Sequence, residues 1–140
     1  MNHLTAELKR IKKQGSEQRI IAMVRFSDEN FCDLELSVPP TVNNYYAQVG
    51  KRRVITKKGR IYKEAVSRLN VTKLTGRIGV TVELFAKDKR RRDLDNILKC
   101  LLDSLGGCGV YEDDSQVDRL VVARCEKDPR HIVKVYVERL

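Results

Sequence analysis

The stretch of residues 77–105 constrains the fold most, because a strand pattern gives way there to a helix pattern. Apolar side chains first alternate at Ile78, Val80, Val82 and Leu84, which predicts a central strand with one buried face. A second pattern follows and has the period of a core-facing helix, with apolar residues at Leu94, Ile97, Leu98, Leu101, Leu102 and Leu105. Gly106-Gly107 comes directly after it and predicts the end of that helix. A sheet with a helix packed on it is therefore expected.

Hydrophobic periodicity predicts further elements on both sides of this segment. They are an amphipathic helix at residues 4–13, strands at 20–26 and 33–38, a short strand or ordered loop at 51–58, a helix at 59–71, and strands at 116–125 and 132–137. Turn residues at 127–130 predict that the last two strands form a hairpin. The expected fold is α/β of the α+β type: a single domain with a mixed β-sheet and helices packed on it. We divide it into an N-terminal extension at 1–30, with a short helix and a possible strand, and a main domain at 31–140.

Composition narrows the classes of function. The 140 residues carry 28 basic and 19 acidic side chains, a net charge of +9 that attracts polyanions, nucleic acid before an anionic membrane surface. The bland alternative is a soluble protein that is merely basic. No apolar run is long enough for a transmembrane helix, and no secretory signal is seen, so a cytoplasmic location is expected. Four cysteines without a CxxC pair, and only two histidines, do not support a zinc site.

Carboxylates cluster where the predicted central strand leads into the helix. Asp93 and Asp95 are spaced i, i+2, so in extended backbone their side chains point the same way. Asp113 and Asp114 precede the next strand, and one of them joins the first pair if that strand lies near the helix N-terminus. Such an all-oxygen site favours Mg²⁺ or Mn²⁺, which would promote hydrolysis of a phosphodiester. Lys99, one helical turn after Asp95, is a candidate to stabilise charge at the phosphorus.

Each carboxylate also has a purely structural interpretation. Asp93 or Asp95 can cap the helix, Asp95 and Lys99 can form a surface i, i+4 pair, and Asp113-Asp114 can belong to a solvated turn. The residues themselves do not choose between Asp113 and Asp114 as the third ligand.

Basic and polar side chains in two further segments are candidate DNA contacts. Three arginines directly precede Asp93, and six cations fall within residues 51–60. An asparagine- and tyrosine-rich segment follows Pro39-Pro40 and can contact the DNA backbone or stack on bases; its alternative is a loop whose tyrosines cover the core. The predicted DNA contacts are Arg90, Arg91, Arg92, Lys51, Arg52, Arg53, Lys57, Lys58, Asn43, Asn44 and Tyr45.

Several motifs together closely resemble the RusA family of Holliday junction resolvases. The R-D-L-D-N segment at residues 92–96, the helical Lys99 and the D-D-S-Q-V segment at 113–117 match an R-D-x-D-N segment, an internal lysine and a D-D-x-Q-V segment of that family. The S-V-P-P-T-V-N-N-Y-Y stretch at 37–46 is similar to the family's P-P-x-N-N-x-Y start, and Ile61-Tyr62-Lys63 lies in the matching helix. The resemblance covers the chain from about Leu34 onward, whereas the basic stretch between Asn44 and Tyr62 is only loosely similar.

The resemblance implies a RusA-like, Mg²⁺-dependent homodimer that cuts four-way DNA junctions by paired symmetric nicks. By position it implies that Asp93, Asp95 and Asp114 bind the metal, that Lys99 is the essential lysine, and that Asp113 is an acidic neighbour. The competing hypotheses are a non-enzymatic protein that binds branched DNA, and a nuclease that acts on other branched DNA or on RNA. The resemblance leaves open what the first thirty residues do.

Overall fold

A computed structural model describes the backbone of residues 5–13 and 16–140, and the side chains from Arg19 onward. The strands are β1 (Thr5–Lys13), β2 (Ser16–Ser27), β3 (Phe31–Ser37), β4 (Tyr46–Val49), β5 (Arg52–Ile55), β6 (Ile78–Phe85), β7 (Val117–Arg124) and β8 (Ile132–Arg139). The helices are α1 (Val42–Tyr45), α2 (Lys57–Ser67) and α3 (Leu98–Cys108), with short 3₁₀ turns at Leu94–Ile97 and Asp114–Gln116.

Six of the strands form one mixed sheet in the order β1-β2-β3-β8-β6-β7, while β4 and β5 form a separate hairpin. All neighbours in the large sheet are antiparallel except β6 and β7, which are parallel and are joined through α3. One edge of the sheet therefore carries the beginnings of β2 and β8 and the ends of β3, β6 and β7. We call this the upper edge, and the opposite one the lower edge. The predicted α+β class, a single domain with one mixed sheet, is confirmed.

The core lies between one face of this sheet and the helices α2 and α3. The alternating apolar residues of β3, β6 and β8 point into it, as the strand patterns predict. Tyr62 and Val66 of α2 and Leu101 and Leu105 of α3 cover them and are almost completely buried. Burial of these side chains supplies the main stabilisation of the fold. The predicted strands at 20–26, 33–38 and 77–85 and the two long helices are thereby confirmed, with shifts at their ends.

The prediction of an N-terminal helix is wrong for the residues that the structure describes. Residues 5–13 form β1, which pairs antiparallel with β2 along its whole length, from Thr5↔Val24 to Lys13↔Ser16. A short sequence of this kind is only marginally stable as an isolated helix, and pairing with the long strand β2 satisfies the same backbone groups. Leu4, which belongs to the predicted helix, lies outside the described residues.

The prediction that the last two strands form a hairpin is also wrong. A turn does occur at 128–131, where Asp128 accepts hydrogen bonds from the backbone N–H groups of Arg130 and His131. The segment before it crosses the end of β6, because Cys125 N–H binds the Leu84 carbonyl and Asp128 N–H binds the Ala86 carbonyl. β6 therefore separates β7 from β8. The apolar β8 is an interior strand of the sheet, and the exposed β7 is an outermost strand.

The end of α3 differs from its predicted position. Gly106 and Gly107 lie inside the helix, which continues to Cys108. Gly109 caps it in the left-handed conformation, with φ 86°, a geometry that glycine adopts without steric cost. Among the described residues, no helix has both the length and the apolar character needed to cross a membrane.

A pair of glycine substitutions tests the packing of α2 against α1. A Cβ added at Gly59 would lie 2.6 Å from Cδ1 of the buried Tyr45, whereas one at the exposed Gly107 would meet open space. Gly59→Ala is therefore expected to lower the free energy of unfolding by about 1–3 kcal/mol through overpacking. Gly107→Ala, the matched control, is expected to raise it by about 0.5–1 kcal/mol. Urea denaturation measures both, and equal stabilisation by the two would contradict the close contact.

Candidate active-site cleft

A cleft of about 700 Å³ opens at the upper edge of the sheet. Its walls come from the beginning of β2, the Pro39-Pro40 segment after β3, the first turn of α2, the loop after β6 and the turn before β8. Of the side chains that the structure describes, one carboxylate, that of Asp93, lines it among six cations. These cations are Arg19, Lys58, Lys87, Arg91, Arg92 and Arg130. The cleft therefore combines a positive surface with one candidate catalytic carboxylate.

Two of the six cations are held by acidic partners. Arg92 lies 2.8 Å from Asp88, and Arg130 lies 2.8 Å from Asp128 and 3.1 Å from the buried Glu35. The other four form no ion pair with any side chain that the structure describes, so their charge is available to a ligand. Grouped cations at a concave surface raise the local concentration of a polyanion.

Arg92 shapes the loop between β6 and the first 3₁₀ turn. Its Nη1 donates to the carboxylate of Asp88 and to the Asp88 and Arg90 carbonyls, and its own carbonyl accepts from Arg124 at 2.8 Å. The ion pair with Arg92 lowers the pKa of Asp88 to about 2, so the pair persists at neutral pH. Arg92, predicted as a DNA contact, thus holds the loop that presents the exposed Arg91 and Asp93.

His131 holds the same loop from the other side of the cleft. Its Nδ1 accepts a hydrogen bond from the Lys87 backbone N–H at 3.0 Å, and its backbone has a positive φ of 55°. Burial, with Arg92 and Lys87 nearby, lowers the pKa of His131 and favours the neutral ring that this bond requires. A histidine beside a predicted turn gave no reason to expect this role.

Asp93 and Asp95 occupy the beginning of the first 3₁₀ turn. Asp93 is its N-cap residue, with φ −87° and ψ 131°, and its side chain makes no capping hydrogen bond. Both carboxylates are exposed and form no hydrogen bond or ion pair with other residues in the described ranges. Only Asp93 lines the cleft, since the extended geometry expected for the pair ends at Asp93 and Asp95 lies in the turn.

Asp113 and Asp114 lie at the lower edge, just before β7. Asp113 forms a capping box: its carboxylate accepts from Ser115 N–H, and the Gln116 side chain accepts from Asp113 N–H. Gln116 also donates to the carbonyls of Leu74 and Gly76, which connects the turn to the segment just before β6. Hydrogen bonding from Ser115 lowers the pKa of Asp113, and the capping box gives Asp113 a structural role. The exposed Asp114 takes no part in the capping box.

One chain does not bring the predicted three carboxylates together. Asp93 and Asp95 precede α3 and Asp114 follows it, so they lie toward opposite ends of a helix about 16 Å long, at 1.5 Å for each of its 11 residues. Within the described ranges, no three His, Cys, Asp or Glu residues are grouped to hold a metal ion. Within one chain the three predicted carboxylates are therefore not grouped, and their assignment as metal ligands stays a prediction. The catalytic roles of the individual residues stay predictions.

Lys99 belongs to a hydrogen-bonded chain that the sequence did not reveal. Its ammonium lies 3.2 Å from Oδ1 of Asp103, and Oδ2 of Asp103 accepts from the buried Tyr45 hydroxyl at 2.7 Å. Asp103 raises the pKa of Lys99, so the side chain stays cationic. The i, i+4 spacing of Lys99 and Asp103 on a helix was the available signal. The prediction that Tyr45 contacts DNA is wrong, because its ring is buried in the core.

The remaining predicted DNA contacts divide between the cleft and its surroundings. Asn44 and Lys58 line the cleft, and Asn43 and Lys57 are exposed beside them. Lys51, Arg52 and Arg53 are exposed on the β4–β5 hairpin, where the Arg53 guanidinium lies 4.0 Å from the Tyr46 ring centre. Arg90 is exposed but does not line the cleft. The cleft residues that sequence reasoning missed include Arg19, Lys87, Asn96 and Arg130, although Lys87 belongs to the same basic run as the three arginines.

Comparison with known proteins agrees with this architecture. The family model described as Endodeoxyribonuclease RusA matches residues 36–136. A crossover junction endodeoxyribonuclease of Enterobacteria phage HK97 is 41% identical over 99 residues, covering 67% of this chain and 82% of the relative. Proteins of the same description from Escherichia coli strain K12 and Enterobacteria phage 82 are 32% and 33% identical over 93 residues, covering 63% of this chain and 78% of each relative. The chain belongs to the RusA family of endodeoxyribonucleases.

Proposed function

We propose that this protein resolves four-way (Holliday) DNA junctions by paired symmetric nicks and so acts in DNA recombination and repair. The observation that carries the proposal is the cleft, in which four cations without acidic partners among the described residues surround the exposed Asp93. The relatives named above are crossover junction endodeoxyribonucleases, which adds the substrate class. The positive cleft attracts the phosphate backbone, and recognition of a branched shape through phosphates requires no base sequence.

The residues present fit Mg²⁺, or Mn²⁺, as the cofactor. Asp93 and Asp95 offer exposed oxygen ligands with no other bond to the described residues, and Mg²⁺ in nucleic-acid enzymes is typically held by one or two carboxylates, water and substrate phosphate. When bound, such an ion neutralises phosphate charge and activates water. We assign Asp93, Asp95 and Asp114 as its ligands. Lys99, which Asp103 keeps cationic, is assigned to stabilise the negative charge that develops at the phosphorus. Arg91, Lys58, Lys87 and Asn44 hold flanking phosphates.

The edge strand β7 supports the proposal of a homodimer. Leu120 and Val121 of this strand are exposed, and an edge strand presents unpaired backbone groups to a partner. We propose that two copies pair antiparallel along β7 about a two-fold axis, which matches the symmetry of a four-way junction.

Antiparallel pairing would also place the third carboxylate near the first two. The end of β7 lies beside Asp93, because Arg124 binds the Arg92 carbonyl at 2.8 Å. The beginning of β7 follows Asp114 closely along the chain. Two β7 strands that run in opposite directions therefore bring Asp114 of the partner subunit to the same end as Asp93.

The direct test is incubation of the protein with a synthetic four-way junction, with and without Mg²⁺, and mapping of the products on all four strands. We expect nicks at symmetric positions in two opposing strands, dependent on the divalent cation. Linear duplex of the same sequence is the control and is expected to stay intact. Junction binding without cleavage in Mg²⁺ or Mn²⁺ would instead indicate a DNA-binding module. Cleavage of flaps or RNA in preference to the junction would change the substrate class.

A further inference from the structure

The N-terminal strands extend past the sheet at the edge where the cleft opens. The register of β2 with β3 begins at Ala22↔Leu36, so residues 16–20 of β2 have no partner in β3. They pair only with residues 9–13 of β1, from Lys9↔Ile20 to Lys13↔Ser16. This two-stranded segment, which we call the hairpin arm (residues 9–13 and 16–20), is about 17 Å long at 3.4 Å per residue. It lies outside the matched family region, which begins at residue 36.

The hairpin arm is strongly basic and joins the cleft. It carries five cationic residues, Lys9, Arg10, Lys12, Lys13 and Arg19, against the single acid Glu17. At its base, Arg19 and Ile20 line the cleft, and Ile21 N–H is fixed by the Ser37 hydroxyl at 2.7 Å. Both strands also contact α2, whose Lys58 lines the same cleft. The basic segments of the arm are therefore joined to the cleft through Arg19 and Ile20.

The register adds a second observation that points to an anionic ligand. Arg10 and Arg19 are directly paired across the two strands. Like charges in such a position destabilise a sheet, whereas Lys12 and Glu17, which are also directly paired, are oppositely charged. A phosphate bound to the arm would remove that cost. A two-stranded β-ribbon also has the width to follow a groove of duplex DNA.

We propose that the hairpin arm is a second DNA-binding element, which contacts backbone phosphates of a duplex arm where it leaves the cleft. The inference rests on the proposed function, because it takes the ligand of the cleft to be branched DNA. The arm adds phosphate contacts outside the family domain, so it raises affinity for junctions whose arms are long enough to reach it. DNA is favoured over an acidic protein or a membrane because the arm is continuous with the cleft.

The test compares two triple variants. In the first, Arg10→Gln, Lys12→Gln and Lys13→Gln remove three charges from the arm; in the control, Arg68→Gln, Lys73→Gln and Arg139→Gln remove three exposed charges at the lower edge. Junction affinity is measured without divalent cations over a range of salt concentrations. We expect the arm variant to bind at least about tenfold more weakly, and the slope of log K against log salt to fall by about 2–3, since each phosphate contact contributes about 0.9. The control is expected to keep the wild-type slope.

Arm length gives a second readout. On a junction with arms shortened to about five base pairs, the wild type and the arm variant are expected to bind equally, because the extra phosphates are gone. A wild-type salt slope in the arm variant, or equal losses in both variants, would overturn the proposal. Failure of the proposed nuclease activity is distinguishable, since binding is measured without cleavage. Cleavage with an unchanged slope would reject only the role of the hairpin arm.

Discussion

Asp93→Asn is expected to reduce cleavage of a four-way junction by at least about a hundredfold, the scale on which loss of one catalytic interaction acts. Among the described side chains, Asp93 is the one carboxylate that lines the cleft, and asparagine keeps its shape while removing the charge that a divalent cation requires. The side chain makes no capping hydrogen bond and is exposed, so the free energy of unfolding is expected to stay unchanged. Junction binding should stay equal or become tighter, because the substitution removes a negative charge from a positively charged cleft.

Glu29→Gln is the matched control for this substitution. It removes the same charge from an exposed position in the turn between β2 and β3, at the lower edge of the sheet. Its cleavage rate is expected to equal that of the wild type. The assignment of Asp93 fails if Asp93→Asn cuts normally in saturating Mg²⁺. It also fails if the variant loses junction binding while urea denaturation shows intact folding.

The local elements of this fold could be predicted from the sequence because their signals are periodic. The alternation of β6 and the helical repeat of α3 each report one buried face, and both elements occur where those patterns lie. The apolar pattern in residues 4–13 covers too few residues to distinguish a helix from a strand. Pairing with β2 makes this segment the strand β1. Gly109 ends α3 instead of the glycine pair because the left-handed conformation is needed after Cys108, where the core-facing turn is complete.

The order of strands could not be predicted, because it depends on contacts between distant segments. A turn at 128–131 is compatible both with a hairpin and with the observed crossing past the end of β6. The error had a consequence for the site, since β7 runs parallel to β6 and therefore begins at the lower edge, away from Asp93. The motifs identified Asp93 and Asp114 correctly as neighbours of α3, but not that they lie at its opposite ends.

Contacts that join distant segments account for the remaining differences. Arg19 lies at the cleft because of the register in which β2 pairs with β3. Asp103 of α3 accepts a hydrogen bond from the hydroxyl of Tyr45 in α1. Neither side chain belongs to a recognisable motif. Conversely, the capping box of Asp113 follows from a short S/T/D-x-x-Q pattern and was within reach of sequence reasoning. It assigns Asp113 a structural role and leaves Asp114 as the candidate ligand, in agreement with the resemblance to the RusA family.

A mixture of two inactive variants is expected to regain cleavage if the site is shared between subunits. Asp93→Asn and Asp114→Asn are each expected to abolish cutting alone. After the two proteins exchange subunits, half of the dimers contain one copy of each variant. If Asp114 of the partner subunit completes the site of Asp93, one of the two sites in such a dimer is intact. About a quarter of the wild-type number of sites then returns, by the statistics of a two-fold dimer.

The products distinguish this arrangement from one in which each chain builds its own site. A mixed dimer with one intact shared site nicks a single strand of the junction and leaves the opposing strand whole. With both carboxylates required in the same chain, every site in the mixture lacks one of them, and no cutting returns. Strand-resolved product mapping of the 1:1 mixture, beside each variant alone, separates the two outcomes.

Val121→Lys supplies the control for the interface. It places a charge on the exposed edge strand β7, and lysine at a sheet edge opposes pairing with a second chain. When both partners also carry Val121→Lys, the mixture is expected to stay inactive, and sedimentation should show monomers. Recovery of cleavage despite this substitution would move the dimer contact away from β7. If a mixture without Val121→Lys is shown to contain mixed dimers and still does not cut, Asp114 lies outside the site of Asp93.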